Sequence, residues 1–471
     1  MKPGLAFLLF PAVCLLGDTA SGATSAIPAP DTFDLPAIDR FLAANLKLNG
    51  QPGLSVAIVK NGEVVFAKVY GQRSLEDGWP VETDTLFAIG SVTKQFTCAC
   101  VLLLAEEGKL SVHDKVAKYF PGLTRANDIT LLDLMNHVSG YPDYYPLDFV
   151  DRRMQAEISP DELLRQYAGG KLDFEPGSRY SYSNTGFILL GRVVEKVSGE
   201  SFASFLAKRI LKPLGLDHTV YEPDPSDKRL ALGYTTFALS PPEFSGPEAK
   251  GWIGAAGGIY STPTDLAKWD LALIDGKVLK PESYELMTTP RKLKDGKLTE
   301  YGCGLGVRTQ GGRRILAHNG AVSGFVAWNA TIPSTRSAVV MLCNQDGGLG
   351  SLPNQVLSLL LKEPTPSVPM ITGRPAAEAV KKTFASLQQG RLNRGEFSEE
   401  FNHYLTDAKI AAAAKRLQSH GTAGKSEVIE LHERGGMEVT TTRLTFKKGT
   451  LKILMYRMPD GKIEQFFVYP D

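Results

Sequence analysis

The sequence has no excess of charge of either sign. Its 52 basic and 51 acidic side chains leave a formal net charge of +1. A chain without a strong net field does not steer polyanions to its surface, so nucleic acid and anionic membrane surfaces are not expected partners. We therefore expect a small or modest-sized substrate.

Cysteine is also scarce, with five in 471 residues. So few cannot form the disulfide scaffold of a small secreted domain. Cys98 and Cys100 lie two positions apart in an apolar helical stretch, so their side chains point in different directions. A bridge between Cys303 and Cys343 is one alternative, and two separate buried thiols are the favoured one. The sequence contains neither His-Glu-x-x-His nor a paired Cys-x-x-Cys, and we expect no metal site and no cofactor.

Long apolar runs are missing beyond the N-terminus. Residues 5–16 are mostly apolar, follow Lys2 and precede small residues at 20–23. This order is typical of a secretory signal peptide, which we predict over residues 1–23, with export to the periplasm or the medium. The stretch is shorter than the ~20 apolar residues that span a bilayer, and Pro11 interrupts it, so no transmembrane segment is expected after cleavage.

Length and composition predict more than one domain. Apolar residues make up 43% of the chain, but a single hydrophobic core stops growing at about 250 to 300 residues. Four prolines fall within residues 363–375, which predicts a linker. We expect a main domain over 30–362 and a small α+β domain over 376–471. In the small domain, helices over about 376–389 and 398–419 precede four strand-like runs.

The main domain begins and ends with strand-like sequence. Residues 54–59 and 63–69 flank Asn61-Gly62, the strongest short hairpin signal. Strand-like runs return late, separated by turns that contain glycine or proline, at 302–308, 313–318, 325–332 and 337–343. The stretch between these regions has helical periodicity. We predict an α/β (α+β) fold, in which an antiparallel sheet is flanked by helices and an inserted helical subdomain, with a cleft between sheet and helices.

A serine and a lysine lie three residues apart at the start of a predicted central helix. Ser91-Val92-Thr93-Lys94 precedes an apolar run from Cys98 to Ala105, which indicates a buried helix. Ser91 would lie near unpaired N–H groups at the positive end of the helix dipole, with Lys94 on the same face. Out of water the ammonium of Lys94 is destabilised, so its neutral amine could serve as general base for Ser91. Ser-x-x-Lys also occurs by chance about once or twice in a chain of this length, so the interpretation depends on further elements.

The second element is Tyr182-Ser183-Asn184, where a polar loop enters an apolar helix. A nearby lysine favours the phenolate of Tyr182, which could then relay protons to and from Ser91. Asn184 could hold a substrate amide or Lys94. A simple helix-capping turn is the alternative.

The third element is His318-Asn319-Gly320, at the end of a predicted strand along the cleft. The backbone N–H that follows, at Ala321, could face a substrate carbonyl. A histidine at a strand end is usually structural, and that is the alternative.

The three elements occur in the order and context of the family of serine β-lactamases and DD-peptidases, and the stretch from about Pro52 to Asn344 resembles its class C β-lactamase branch. Shorter matches to the same family surround them: Asp84-Thr85-Leu86-Phe87, His137-Val138-Ser139-Gly140, Pro213-Leu214-Gly215-Leu216 and Ala256-Gly257-Gly258-Ile259-Tyr260-Ser261. The C-terminal region resembles small cystatin-like or nuclear-transport-factor-like domains.

The resemblance implies a role for each residue of the three elements. Ser91 is the acylated nucleophile, and Lys94 and Tyr182 are its acid/base pair. Asn184 and His318, with Asn319 and Gly320, bind the substrate. The backbone N–H groups of Ser91 and Ala321 form an oxyanion hole. The substrate implied is a small molecule, peptide or ester.

One departure from the family pattern bears on the substrate. Class C β-lactamases carry Lys-Thr-Gly where this chain has His318-Asn319-Gly320. An imidazole with an ordinary pKa near 6.5 is mostly neutral at pH 7 and holds a carboxylate less firmly than an ammonium does. We therefore expect DD-peptidase, D-aminopeptidase or esterase activity rather than efficient β-lactam hydrolysis. A non-catalytic or slowly acylating binding protein is the alternative function.

Overall fold

The computed structural model describes residues 27–147, 149–237, 240–362, 369, 371–447 and 449–471. The predicted signal peptide and most of the predicted linker lie outside these residues. The chain divides into two compact units, Met1–Lys362 and Glu363–Asp471. No helix among the described residues is both long and apolar enough to cross a bilayer.

The described strands, in chain order, are β1 (Gly53–Lys60), β2 (Glu63–Ser74), β3 (Trp79–Pro80), β4 (Phe87–Ala88), β5 (Val220–Tyr221), β6 (Tyr234–Thr235), β7 (Glu243–Phe244), β8 (Ile259–Ser261), β9 (Gly306–Gln310), β10 (Arg313–Val322), β11 (Phe325–Ile332), β12 (Ser337–Cys343), β13 (Ser426–Arg434), β14 (Met437–Phe446), β15 (Gly449–Arg457) and β16 (Ile463–Pro470).

The described α-helices are α1 (Leu35–Leu48), α2 (Thr93–Glu106), α3 (Leu131–Met135), α4 (Pro160–Tyr167), α5 (Asn184–Ser198), α6 (Phe202–Leu206), α7 (Lys212–Leu214), α8 (Gly254–Gly257), α9 (Pro263–Ile274), α10 (Pro281–Thr288), α11 (Leu352–Leu361), α12 (Ala376–Gln388), α13 (Glu399–Tyr404) and α14 (Asp407–Leu417). A single 3-10 turn, Gly90–Val92, leads directly into α2.

The main sheet of the first unit has seven strands in the order β3-β2-β1-β12-β11-β10-β9. Strands from the two ends of the unit pair directly, because β1 runs antiparallel to β12 from the pair Leu54 and Cys343 to the pair Val59 and Ala338. Both strands are buried along almost their whole length. Strands that are apolar on both faces must be covered on both faces.

Helices supply that cover. On one face, α1 and α11 pack against side chains of β1 and β12 such as Val56 and Met341. On the other face, α9 packs against Ala57, Val59 and Ala338. The larger helical core, with α2 and α5 at its centre, lies beside the sheet. The predicted antiparallel sheet flanked by helices is thus confirmed.

The four described cysteines are free and buried. Cys303 packs in the helical core and Cys343 in the core beneath α1 and α11. The favoured expectation, separate buried thiols, is what the structure shows.

The second unit is a four-stranded antiparallel meander, β13-β14-β15-β16, that shares a core with α12, α13 and α14. The prediction of one helix over 398–419 is wrong. Leu405 leaves the helical conformation, and the Thr406 hydroxyl accepts a hydrogen bond from Lys409 N. A threonine at this position starts a new helix, which divides the segment into α13 and α14.

Candidate active site

Ser91 lies in the 3-10 turn immediately before α2. Helix α2 is buried on nearly every face, so the turn is anchored at the centre of the unit, where it meets strand β10. The contact leaves no room for a side chain at Gly320. A Cβ on Gly320 would lie 1.9 Å from the Ile89 carbonyl oxygen and 2.9 Å from Ser91 N.

The backbone N–H of Ala321 points toward the same turn. Val322 and Phe325 pair across a two-residue turn, which makes them a hydrogen-bonded pair. Pairs alternate along an antiparallel ladder, so Ala321 directs its N–H away from β11. On that side, a Cβ on Gly90 would lie 2.8 Å from Ala321 N. The Ala321 N–H therefore faces the turn that carries Ser91, which is where an oxyanion hole would need it.

Lys94 is fully buried and directs its amine at Ser91. Its Nζ lies 3.0 Å from Ser91 Oγ and also donates to Asn184 Oδ1 at 2.8 Å and to the Ala256 carbonyl at 2.7 Å. Burial lowers the pKa of Lys94 to about 7, although the negative charge of Asp143 acts to raise it. A neutral amine keeps two donors for Asn184 and Ala256 and offers its lone pair to the Ser91 hydroxyl. The geometry thus provides a base for Ser91 near neutral pH.

Tyr182 contacts the same hydroxyl from the other side. Its phenol donates to Ser91 Oγ at 2.7 Å. The nearby lysine predicted a phenolate here, but burial raises the pKa of Tyr182 well above its ordinary value. Tyr182 is therefore a neutral phenol that can give a proton, while Lys94 is the group that can take one.

His318 faces the site from β10, which continues to Val322 rather than ending at the histidine. Its Nδ1 lies 2.5 Å from the Asn319 carbonyl oxygen and its Nε2 lies 2.8 Å from the Tyr301 hydroxyl. A carbonyl can only accept, so Nδ1 carries the hydrogen and Nε2 accepts from Tyr301. Burial and the nearby Lys94 lower the pKa of His318 to about 3. The imidazole is neutral, and both of its nitrogens are bonded to protein groups.

The remaining predicted site residues are divided between the two faces of β10. The Gly320 backbone lies against the Ser91 turn. The Asn319 side chain is exposed and, by the alternation of a strand, points to the opposite face from His318. Only its carbonyl contributes to the site, by fixing the His318 ring.

Three contributors were missed at the sequence level. Asp143 binds Asn184, and Tyr301 binds His318. His137, interpreted as part of a structural turn, accepts a hydrogen bond from Ser183 N at 3.1 Å and has its ring centroid 4.1 Å from that of Tyr182. No local pattern marks Asp143 or Tyr301, because each meets its partner only through the fold.

A serine hydroxyl held between a buried amine and a phenol, with the Ala321 N–H facing the same turn, is the arrangement of a serine hydrolase with a lysine beside its nucleophile. Comparison with known sequences agrees. The family model described as Beta-lactamase matches residues 38–359, and the chain belongs to this family.

Three relatives illustrate the similarity. The chain is 29% identical over 310 residues to penicillin-binding protein 4* of Bacillus subtilis, covering 62% of this chain and 68% of that protein. It is 28% identical to the D-aminopeptidase of Brucella anthropi, covering 70% and 63% of the two chains. Among solved structures, the D-stereospecific amidohydrolase from Streptomyces sp. superposes with a TM-score of 0.59 at 26% identity, covering 69% of this chain and 98% of that one.

Proposed function

We propose that the protein hydrolyses a peptide, amide or ester bond through an acyl-enzyme on Ser91. One observation carries the proposal: Ser91 Oγ lies 3.0 Å from Lys94 Nζ and 2.7 Å from Tyr182 Oη. In this assignment Ser91 is the nucleophile, Lys94 the general base and Tyr182 the general acid. Asn184 orients Lys94 and the substrate, and the N–H groups of Ser91 and Ala321 stabilise the oxyanion.

The reaction has two halves. Neutral Lys94 takes the Ser91 proton as Oγ bonds to the carbonyl carbon, and the oxyanion forms against the two N–H groups. The carbonyl then re-forms as the bond to the leaving nitrogen or oxygen breaks, with a proton from Tyr182 going to the leaving group. The proton held by Lys94 restores the phenol. Water repeats the sequence on the ester of Ser91 and releases the acid, and Oγ recovers its proton.

The state of His318 supports a preference among substrates. Its imidazole is neutral and both nitrogens are bonded to protein groups, so it offers no positive charge to a substrate carboxylate. We place the protein in the class C-related branch, with DD-peptidase, D-aminopeptidase or esterase activity ahead of efficient β-lactam hydrolysis. The names of the relatives, a penicillin-binding protein, a D-aminopeptidase and a D-stereospecific amidohydrolase, support the same group.

A substrate panel tests this proposal. Activated esters, D-amino-acid amides with their L counterparts, a D-Ala-D-Ala peptide and a chromogenic cephalosporin are assayed with the wild type. We expect turnover of at least one ester or amide. The kcat/KM for the cephalosporin should be at least about a hundredfold lower than that for the best ester or amide. Efficient cephalosporin turnover would contradict the preference. Ligand binding without turnover of any substrate would point to a binding protein instead.

The activity should depend on pH through Lys94. Because the lysine must be neutral to accept the Ser91 proton, kcat/KM for an uncharged ester should fall about tenfold per pH unit below the lysine pKa of about 7 and level off above it. The pKa values of His318 and Tyr182 lie far from 7 on opposite sides. His318→Gln should therefore keep the midpoint near 7. If that variant showed no midpoint near 7, His318 rather than Lys94 would be the general base.

We also propose that the protein is exported. The N-terminal pattern of residues 1–23 supports this. In the native host, N-terminal sequencing of the protein recovered outside the cytoplasm should begin at about residue 24. An intact Met1 in the cytoplasmic fraction would contradict export.

A further inference from the structure

The Asp143 carboxylate accepts hydrogen bonds from three N–H groups around the site. Asp143 Oδ1 accepts from Asn184 N at 3.0 Å, from Asn184 Nδ2 at 3.1 Å and from Tyr145 N at 3.1 Å. The loop that carries Asp143 is thereby tied to the first residue of α5. Two of the three bonds hold one residue, Asn184, at both its backbone and its side chain.

These bonds decide which way the Asn184 amide faces. A carboxylate can only accept, so Asn184 must present Nδ2 to Asp143 and Oδ1 to the other side. There, Oδ1 accepts from Lys94 Nζ at 2.8 Å. With the amide reversed, Nδ2 would meet Nζ donor to donor. The orientation of the Lys94 amine toward Ser91 thus depends on Asp143, which acts through Asn184.

A purely structural role for Asp143 has to be distinguished from this one. Helix α5 has Ser183 at its N-cap, and that side chain makes no capping bond. Asp143 supplies the missing acceptor from another segment, and its negative charge suits the positive end of the helix dipole. Removing it should therefore cost stability whether or not it contributes to the reaction.

The charge of Asp143 also acts on Lys94. Asp143 raises the pKa of Lys94 against the lowering caused by burial. The other titratable groups that face Lys94 are Cys98, on the same helix, and His137, Tyr182 and His318, from three other segments. Both histidines have their pKa lowered by burial and by Lys94, so they are neutral at pH 7. Burial raises the pKa of Asp143, but its hydrogen bonds from Tyr145 and Asn184 and the charge of Lys94 favour its ionised form, so Asp143 is the group that supplies negative charge among these neighbours.

We propose that Asp143 is a positioning residue for acyl transfer: it fixes the Asn184 amide with its oxygen toward Lys94 and provides the counter-charge that the buried amine needs. This rests on the proposed function, in which Lys94 activates Ser91. Asp143 itself need not touch the substrate. Its effect passes through Asn184 and through its charge.

The pH profile of Asp143→Asn tests the proposal. The variant keeps the side-chain volume and one acceptor oxygen but removes the charge and the second acceptor. We expect the midpoint of the rise in kcat/KM to move about one pH unit or more below that of the wild type, because the lysine loses a nearby anion. The plateau should fall about tenfold or more, because the Asn184 amide is no longer fixed. Asp143→Glu, which keeps the charge, should restore the midpoint.

A matched variant separates this effect from loss of a helix cap. Ser159 caps α4 by accepting from Glu162 N, and Ser159→Ala should lower the Tm without moving the pH midpoint. If Asp143→Asn lowers the Tm but leaves both midpoint and plateau unchanged, the proposal is wrong and Asp143 is only a cap. Labelling of Ser91 by an acylating probe is followed in parallel. Its absence in the wild type would refute the proposed function itself, which is a different outcome.

Discussion

Ser91→Ala should lower kcat/KM by about four orders of magnitude or more for every substrate that the wild type hydrolyses. The substitution removes the one oxygen that both Lys94 and Tyr182 contact, at 3.0 and 2.7 Å. Without it no acyl-enzyme can form, and only the oxyanion hole and substrate binding remain. The turn around Ser91 should keep its conformation, because its close contacts with β10 are made by backbone atoms. Steady-state kinetics with a titration of active sites checks the result.

A second serine provides the control for this prediction. Ser323 lies in the tight turn after β10, and its hydroxyl bonds Ser245 Oγ and the Gly246 carbonyl rather than a base. Ser323→Ala should stay within about tenfold of the wild type. Equal losses of kcat/KM in the two variants, or retained activity in Ser91→Ala, would show that Ser91 is not the nucleophile.

Gly320→Ala should damage both the fold and the activity, although the glycine contributes no side chain to the site. The new Cβ would lie 1.9 Å from the Ile89 carbonyl oxygen and 2.9 Å from Ser91 N. Both are backbone atoms, so no side chain can rotate away, and either β10 or the Ser91 turn must move. We expect a loss of about 3 kcal/mol in the free energy of unfolding. We also expect at least a hundredfold loss in kcat/KM, because the oxyanion hole is displaced with the turn.

Chemical denaturation and kinetics on the same preparation test the glycine prediction. Gly122→Ala is the matched control, because a Cβ there has no neighbour within 4 Å. That variant should match the wild type in both measurements. If Gly320→Ala were as stable and active as Gly122→Ala, the backbone contact that builds the oxyanion hole would not exist as described.

The sequence was informative wherever a feature is local. The Asn61-Gly62 hairpin, the apolar helix after Lys94 and the four late strands follow from periodicity and turn chemistry within short windows. The spacing of Ser91 and Lys94 brings the two side chains to one face of a single turn. Helix α2 could therefore be predicted together with its chemistry.

Contacts between distant segments that no motif marks were not predictable. Asp143 and Asn184 are 41 positions apart, and Tyr301, in the connection between α10 and β9, meets His318 on β10. The same contacts decide the protonation states. The nearby lysine was expected to favour the phenolate of Tyr182, but burial raises the pKa of Tyr182 well above its ordinary value. The division at Thr406 was missed because one capping hydroxyl interrupts an otherwise helical pattern.

Peptide mapping of the trapped acyl-enzyme tests whether Ser91 is the nucleophile. The wild type is treated with a slowly deacylating, active-site acylating probe at pH 8, denatured in acid, digested and analysed by mass spectrometry. We predict one adduct per chain, on the peptide that contains Ser91, and no adduct in Ser91→Ala. An adduct on any other residue, or its persistence in Ser91→Ala, would show that Ser91 is not the nucleophile.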